Sequence, residues 1–414
     1  MKERPFSAVA ATAENPHFAR WCQRRIELYD RQTETRSDFV RDYTRILHST
    51  AYRRLKHKTQ VFFNTQSDHI CTRIEHVGHV ESVSGTIAAA LGLNTDLTRA
   101  IATGHDLGHS PFGHEGERIL RKLSEEHLGE DFWHEKNGMY LVDHLELLED
   151  DKRTFRNLNL TYAVRDGILS HCGELNENGL LPRGADIDLS DFEKPGQYQP
   201  ATFEGCVVKL ADKIAYLGRD IEDAQQIGLL SAKEEQLLRA LAEKHGLAAI
   251  NTTVLMHDMI TDVCEHSSPE SGLFFGERYQ RLMDDVKDFN TTYIYKHPRL
   301  HPFCRYARLV LEELFAALAD TYAGPDTLHR LMERQRFGTG SALLCDFALW
   351  LAAYVTAPIP RSINSRLCVA RYENEKIYGD LTCEKDFLRA VRDYVAGMTD
   401  GYAIRMFEEL LNLA

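Results

Sequence analysis

The stretch Ile74-Glu75-His76-Val77-Gly78-His79-Val80-Glu81-Ser82-Val83-Ser84-Gly85-Thr86-Ile87-Ala88-Ala89-Ala90-Leu91-Gly92 decides the fold class. Ile74, Val77, Val80, Ile87 and Leu91 keep three- and four-residue steps, the period of one helix face, and Gly92 supplies a C-terminal stop. Downstream, Asn94-Thr95-Asp96 caps a second helix through Leu97 and Ile101, and after Ser110-Pro111 a third starts near Gly113 and runs through Ile119 and Leu123. A fourth covers roughly 204–226, with Val208, Ala211, Ile214, Ala215, Leu217 and Ile221 on its apolar side. Helical patterning resumes over 308–320, 341–355 and 384–414. The most apolar run, 342–355, holds Asp346 and stops before Pro358, which suits a buried helix and not a membrane span. Short strands are expected over 58–63 and 186–191, and a long Gly-, Pro-, Asn- and Asp-rich loop over 176–202. The fold class is therefore mainly α: a helical bundle with a C-terminal helical extension and few short strands.

Composition narrows the function. The 414 residues correspond to about two to three domain-equivalents. With 43% apolar and 27% charged residues the chain is neither disordered, collagen-like nor coiled coil. A net charge of −13 disfavours coating of nucleic acid or anionic membrane by the whole surface, though it leaves room for a local basic pocket. Nine cysteines, none in a Cys-x-x-Cys pair, read as reduced thiols in the cytoplasm. No apolar run follows Met1–Pro5, so no secretory leader is expected.

The chemistry concentrates where histidine does: of 19, ten fall between His57 and His144. The centre reads Gly104-His105-Asp106-Leu107-Gly108-His109-Ser110-Pro111-Phe112-Gly113-His114-Glu115-Gly116-Glu117. Adjacent His105 and Asp106 reach one metal only where the backbone leaves a regular helix or strand, and Gly104 and Gly108 permit that. His76 upstream and Asp212 downstream complete a donor set. Two imidazoles and two carboxylates balance a 2+ charge and leave positions open, which suits a catalytic Mn, Mg, Fe, Co or Ni ion better than closed structural zinc.

This set, within its flanking sequence, resembles the HD-domain phosphohydrolases and, among them, the deoxyguanosine triphosphate triphosphohydrolase (dNTP triphosphohydrolase) family. The resemblance runs from Arg41-Asp42-Tyr43 through Arg53-Arg54-Leu55-Lys56-His57-Lys58-Thr59-Gln60-Val61, continues through 104–117, Asn159-Leu160-Thr161 and Ala211-Asp212-Lys213-Ile214-Ala215-Tyr216, and returns at Ala396-Gly397-Met398-Thr399-Asp400. It implies hydrolysis of a deoxynucleoside triphosphate at the α-phosphorus to deoxynucleoside and triphosphate. A bound divalent ion would polarise a phosphate oxygen. His114 and Glu117, three apart at a helix start, share a face and correspond to the catalytic pair. Arg73, His109 and His134 match phosphate-contacting positions, and Gln60 a base-side one.

On the fourth helix, Asp212, Tyr216, Asp220 and Asp223 form one polar stripe. Because it begins at a ligand, it reads as channel lining: Tyr216 against the deoxyribose, Asp220 accepting from sugar or base, Lys213 toward phosphate. The family further implies a homo-oligomer, often a hexamer, and dNTP or single-stranded DNA effectors. Departures at Val77-Gly78, Glu135 and Gly401 touch no ligand and bear on base preference and subunit contacts. The segments expected are 1–60, helical and contributing to the active site and subunit contacts; 61–230, the HD core; and 231–414, helical. Other readings are a nucleoside monophosphatase or phosphodiesterase of the same superfamily, or a non-catalytic nucleotide sensor.

Overall fold

The first predicted helix forms as Arg73–Leu91. Its start is fixed by Glu75, whose carboxylate accepts the Thr72 backbone N–H at 2.8 Å, and its end by Gly92 at φ +88°. Asn94 accepts the N–H groups of Asp96 and Leu97 and opens Thr95–Gly104. The computed structural model describes residues 4–26, 34–62, 69–172, 178–336 and 342–411. The chain divides into two compact units, each discontinuous in sequence.

The first unit comprises Met1–Leu47, Gln60–Asp106 and Asn159–His301. Its centre is the helix Phe203–Gln226, started by Thr202 accepting the Gly205 N–H. Arg73–Leu91, Thr95–Gly104, Tyr162–Ser170, Thr252–His266 and Glu277–Asn290 all pack on it. The apolar stripe read from sequence is the core: Val77, Val80, Ile87, Val208, Ala211, Ile214 and Leu217 are buried. A Cβ on Gly104 would lie 2.8 Å from Ile168 Cδ1, so this glycine serves close helix packing. The expected strand over 186–191 is instead the 3₁₀ turn Leu189–Asp191, because Asp188 accepts the Ser190 N–H and bends the chain. The expected loop holds that turn and is pinned by a bridge between Leu180 and Leu273; its residues 176 and 177 lie outside the described ones.

The second unit comprises His48–Thr59, Leu107–Leu158 and Pro302–Ala414. Gly113–Leu128 packs on Glu384–Ala396, and Ala342–Leu351 on Thr327–Arg336 and Asp400–Leu411. The helix expected over 384–414 is two, Glu384–Ala396 and Asp400–Leu411, broken at Gly397–Thr399 where Thr399 accepts the Tyr402 N–H and restarts the helix; residues 412–414 lie outside the described ones. The one regular hairpin among the described residues pairs Leu147–Glu149 with Phe155–Asn157 antiparallel, Leu148 opposite Arg156. No strand runs over 58–62, since the Thr59 N–H and hydroxyl are both taken by the Asp400 carboxylate, at 3.1 and 2.7 Å; Phe63 lies outside the described residues.

Candidate active site

In the first unit the four expected ligands converge. His76 lies on the buried face of Arg73–Leu91, His105 and Asp106 follow the end of Thr95–Gly104, and Asp212 lies two turns into Phe203–Gln226. His76 Nε2 is 2.9 Å from Asp212 Oδ1 and 3.9 Å from Asp106 Oδ2; His105 Nε2 is 3.6 Å from Asp106 Oδ1 and 3.9 Å from Asp212 Oδ1. His105 Nδ1–H donates to the Ala102 carbonyl at 2.7 Å, which leaves Nε2 as its lone-pair nitrogen. That Nε2 is buried and has no hydrogen-bond partner. A buried acceptor nitrogen beside two carboxylates fits a divalent cation with N₂O₂ protein donors. Burial works to raise the Asp212 pKa, but His76 and His105 hold it far below the usual carboxylate range, so it stays an anionic donor.

Further residues singled out in the sequence lie in the same unit. Arg73 is buried and pairs with Asp106 at 2.7 Å through Nη1, while its Nε and Nη2 are buried with no hydrogen-bond partner. Burial lowers the Lys213 pKa to about 8, helped by Lys287 and Lys209. The polar stripe is not a solvated face. Asp223 accepts the Cys71 N–H at 2.9 Å, just ahead of the His76 helix, and Asp220 accepts the Tyr295 hydroxyl at 2.6 Å. Burial pushes the Asp220 pKa up to about 7, against the Tyr295 hydrogen bond. Tyr216 is half-buried, and Gln60 keeps a buried Oε1 without a partner. Tyr295 was not read from sequence, because nothing in its spacing ties it to a residue 75 positions earlier. His171 was missed as well: its ring lies 5.0 Å from that of His105. Its signal was its place just past the buried helix Tyr162–Ser170.

The second unit holds a different cluster. Glu117 accepts from His134 Nδ1 at 2.8 Å and lies 3.9 Å from His114 Nδ1; His109 stacks on His134 with centroids 3.8 Å apart. So the carboxylate expected to serve His114 is held more closely by His134. Burial alone would raise the Glu117 pKa; the charge and hydrogen bond of His134, with His114 nearby, hold it far below the usual range. The His114 side chain is 75% exposed and that of His134 is 8%.

The loop 107–112 is braced from all sides. Lys58 Nζ donates to the His109 carbonyl and to that of Ala396, and Asn137 Nδ2 to that of Gly108 at 2.7 Å. Asp400 accepts the N–H of Phe112, whose φ of +63° is left-handed. Gly108 allows close approach without unusual torsion: a Cβ there would lie 2.0 Å from the His134 carbonyl. Two widely separated sequence stretches, around Lys58-Thr59 and Asp400, thus meet to hold the start of the helix that carries His114 and Glu117.

An HD domain is the class that this helical core and its His-Asp cluster define: residues 73–217 match the HD domain family, and 375–409 match the phosphohydrolase-associated domain. HD domains are metal-dependent. A deoxyguanosinetriphosphate triphosphohydrolase-like protein of Caldanaerobacter subterraneus subsp. tengcongensis is 33% identical over 384 residues, covering 92% of this chain and 87% of its own. Proteins of the same description from Azoarcus sp. and Desulfatibacillum aliphaticivorans are 32% and 37% identical, over 91% and 68% of this chain and 90% and 73% of theirs. The chain belongs to the deoxyguanosinetriphosphate triphosphohydrolase-like family of metal-dependent phosphohydrolases. No helix among the described residues is long and apolar enough to cross a membrane.

Proposed function

We propose that the protein hydrolyses deoxynucleoside triphosphates, dGTP among them, to deoxynucleoside and intact triphosphate. The observation that carries this reading is the convergence of His76, His105, Asp106 and Asp212 with one buried, unpartnered imidazole nitrogen. The relatives' names supply the substrate class. These four residues would hold the ion, Mn or Mg first among the candidates before Fe, Co and Ni. Bound there, it would supply Lewis-acid activation of the α-phosphate.

The chain's own groups do the rest. Arg73 has two buried donors left after its pairing with Asp106, and these suit phosphate oxygens. His109 and His134 take the polyphosphate, with Lys213 supplying a further cation. Water adds to the α-phosphorus and the bond to the 5′-oxygen breaks, so that oxygen needs a proton. His114 delivers it, and Glu117 orients the imidazole and stabilises its charged form. Tyr216 bounds the sugar, Asp220 acts with its Tyr295 hydroxyl in place, and Gln60 lies on the base side. The enzyme works in the cytoplasm as a homo-oligomer responsive to dNTP or DNA effectors.

The test is anion-exchange analysis of products after incubation with each dNTP, singly and mixed, in Mn and then Mg. Deoxynucleoside plus triphosphate is the expected result. Orthophosphate or a nucleoside monophosphate would reassign it within the HD phosphohydrolases, and binding without turnover would make it a sensor.

A further inference from the structure

The second unit gathers more donor atoms around His134 than a proton transfer uses. Besides Glu117, which accepts from His134 Nδ1 at 2.8 Å, that nitrogen has Glu135 Oε2 3.4 Å away. Glu135 is 2% exposed, and its Oε2 is buried with no hydrogen-bond partner among the described residues. A buried carboxylate oxygen in that state calls for a cation or a donor. Glu135 is also a position at which the chain departs from the family pattern, and no role assigned above absorbs it.

Four side chains of this unit present one donor atom each within 4.8 Å of one another: His109, His114, Glu117 and His134. The buried rings of His109 and His134 are stacked with centroids 3.8 Å apart, and the ring of His114 lies 5.5 and 6.0 Å from theirs. A tetrahedral ion with donors at about 2.0–2.1 Å holds them about 3.4 Å apart. His114 is exposed, so it has room to turn onto an ion and marks the way in. Three imidazoles and one carboxylate make a nitrogen-rich set, and with Glu135 behind them two negative charges match a 2+ ion. The cluster of the first unit offers nitrogen and oxygen equally, which suits Mn or Mg. The nitrogen-rich set favours zinc, which stands above manganese for imidazole ligands.

We propose that His109, His114, Glu117 and His134 form a second metal site, selective for zinc over manganese, with Glu135 as its buried countercharge. Zinc there takes lone pairs that otherwise take protons, and the proton between His134 and Glu117 goes to solvent. On the reading that His114 and Glu117 serve proton transfer in dNTP hydrolysis, an occupied site is an inhibited one; the site itself does not rest on that reading. The exposed His114 leaves this ion open to water and chelators, so it is filled by added zinc and not retained through purification.

Two titrations on the full chain test this. In the first, Asp212→Ala protein with wild-type circular dichroism is stripped with chelator and titrated with cobalt(II), a coloured stand-in for zinc. One equivalent is expected to bind with the visible absorption of a low-coordinate imidazole site, and zinc to displace it where manganese does not. Adding Glu117→Gln or His134→Ala should abolish that binding, and Glu135→Gln should weaken it about tenfold. The second titration reads zinc against dNTP turnover by the manganese-saturated protein with Asp212 in place. Zinc should inhibit. Glu135→Gln, which removes no group assigned to catalysis, should keep its turnover and need about tenfold more zinc for half inhibition. The proposal is overturned by absent cobalt binding, by cobalt binding indifferent to His134 and Glu135, or by zinc inhibition identical in wild type and Glu135→Gln, which would place the zinc in the first cluster. A wild type without turnover counts against the hydrolase reading alone, and the cobalt titration then decides the metal site.

Discussion

The two clusters use the same residue types toward opposite ends. In the first unit His76 and His105 are buried between Asp106 and Asp212, two carboxylates for two imidazoles, and the second ring nitrogen of His105 is tied to a carbonyl. In the second unit His109, His114 and His134 face two carboxylates, Glu117 at 2.8 Å and Glu135 at 3.4 Å from His134 Nδ1, and His114 reaches solvent. Charge balance and burial suit the first set to holding a cation. Excess imidazole and exposure suit the second to gaining and losing protons. The difference teaches that a histidine-rich stretch of sequence can carry two chemistries, separated by which carboxylates fold against it.

The sharpest way to break this contrast is to remove one donor from the first cluster. Asp212→Ala should lower turnover by about 10⁴-fold or more, with metal content of the purified protein falling to background. Asp212 is the better target than Asp106, whose loss would strand the buried Arg73 charge and cost about 3–5 kcal/mol of stability. Retained metal in the Asp212 variant would remove that residue from the donor set.

Changes in the second cluster should separate activity from metal. Glu117→Gln is expected to cost about 10³-fold in kcat and His114→Ala about 10²-fold, both with metal binding intact by calorimetry. Glu117 carries the larger effect because it serves His134 at 2.8 Å as well as His114. A metal-free His114 variant would merge the two clusters into one.

Three of the four helices read from the sequence lie in the first unit, around His76, His105, Asp106 and Asp212, and they were legible from their apolar periods, with Asn94 starting one and Gly92 stopping another. The convergence of His76, His105, Asp106 and Asp212 follows from their positions on or just after those helices. Partners from far along the chain were not. Asp400 with Phe112, Tyr295 with Asp220 and Lys58 with the His109 carbonyl are single long-range bonds that no local spacing encodes. The strands expected over 58–63 and 186–191 failed for a related reason: side-chain acceptors, Asp400 and Asp188, took the backbone donors that a ladder would have used.

Gly104 and Gly108 compare the two units at the backbone. Both invited a torsional role in the sequence, and both instead permit close packing, since neither has a positive φ. An added Cβ meets a side-chain end at Gly104 but main-chain atoms of His134 and Gly138 at Gly108. Gly104→Ala should therefore cost about 1 kcal/mol and Gly108→Ala about 3 kcal/mol in urea unfolding. The reverse order would mean that Ile168 cannot move.

The smallest effect expected is one of pH on stability. Burial opposes the charged form of Glu117, yet His134 and His114 depress its folded pKa well below the unfolded 4.5. A depressed carboxylate stabilises the fold above the unfolded pKa and loses that contribution as pH falls toward the folded one, because the unfolded chain then binds the extra proton. The stability difference between the wild type and Glu117→Gln should thus be present at about pH 5.5, above the unfolded pKa. It should close steadily below 4.5 in denaturant titrations. A difference that stays constant into acid would mean that Glu117 contributes by packing alone, and that the second cluster lacks the charge separation that sets it apart from the first.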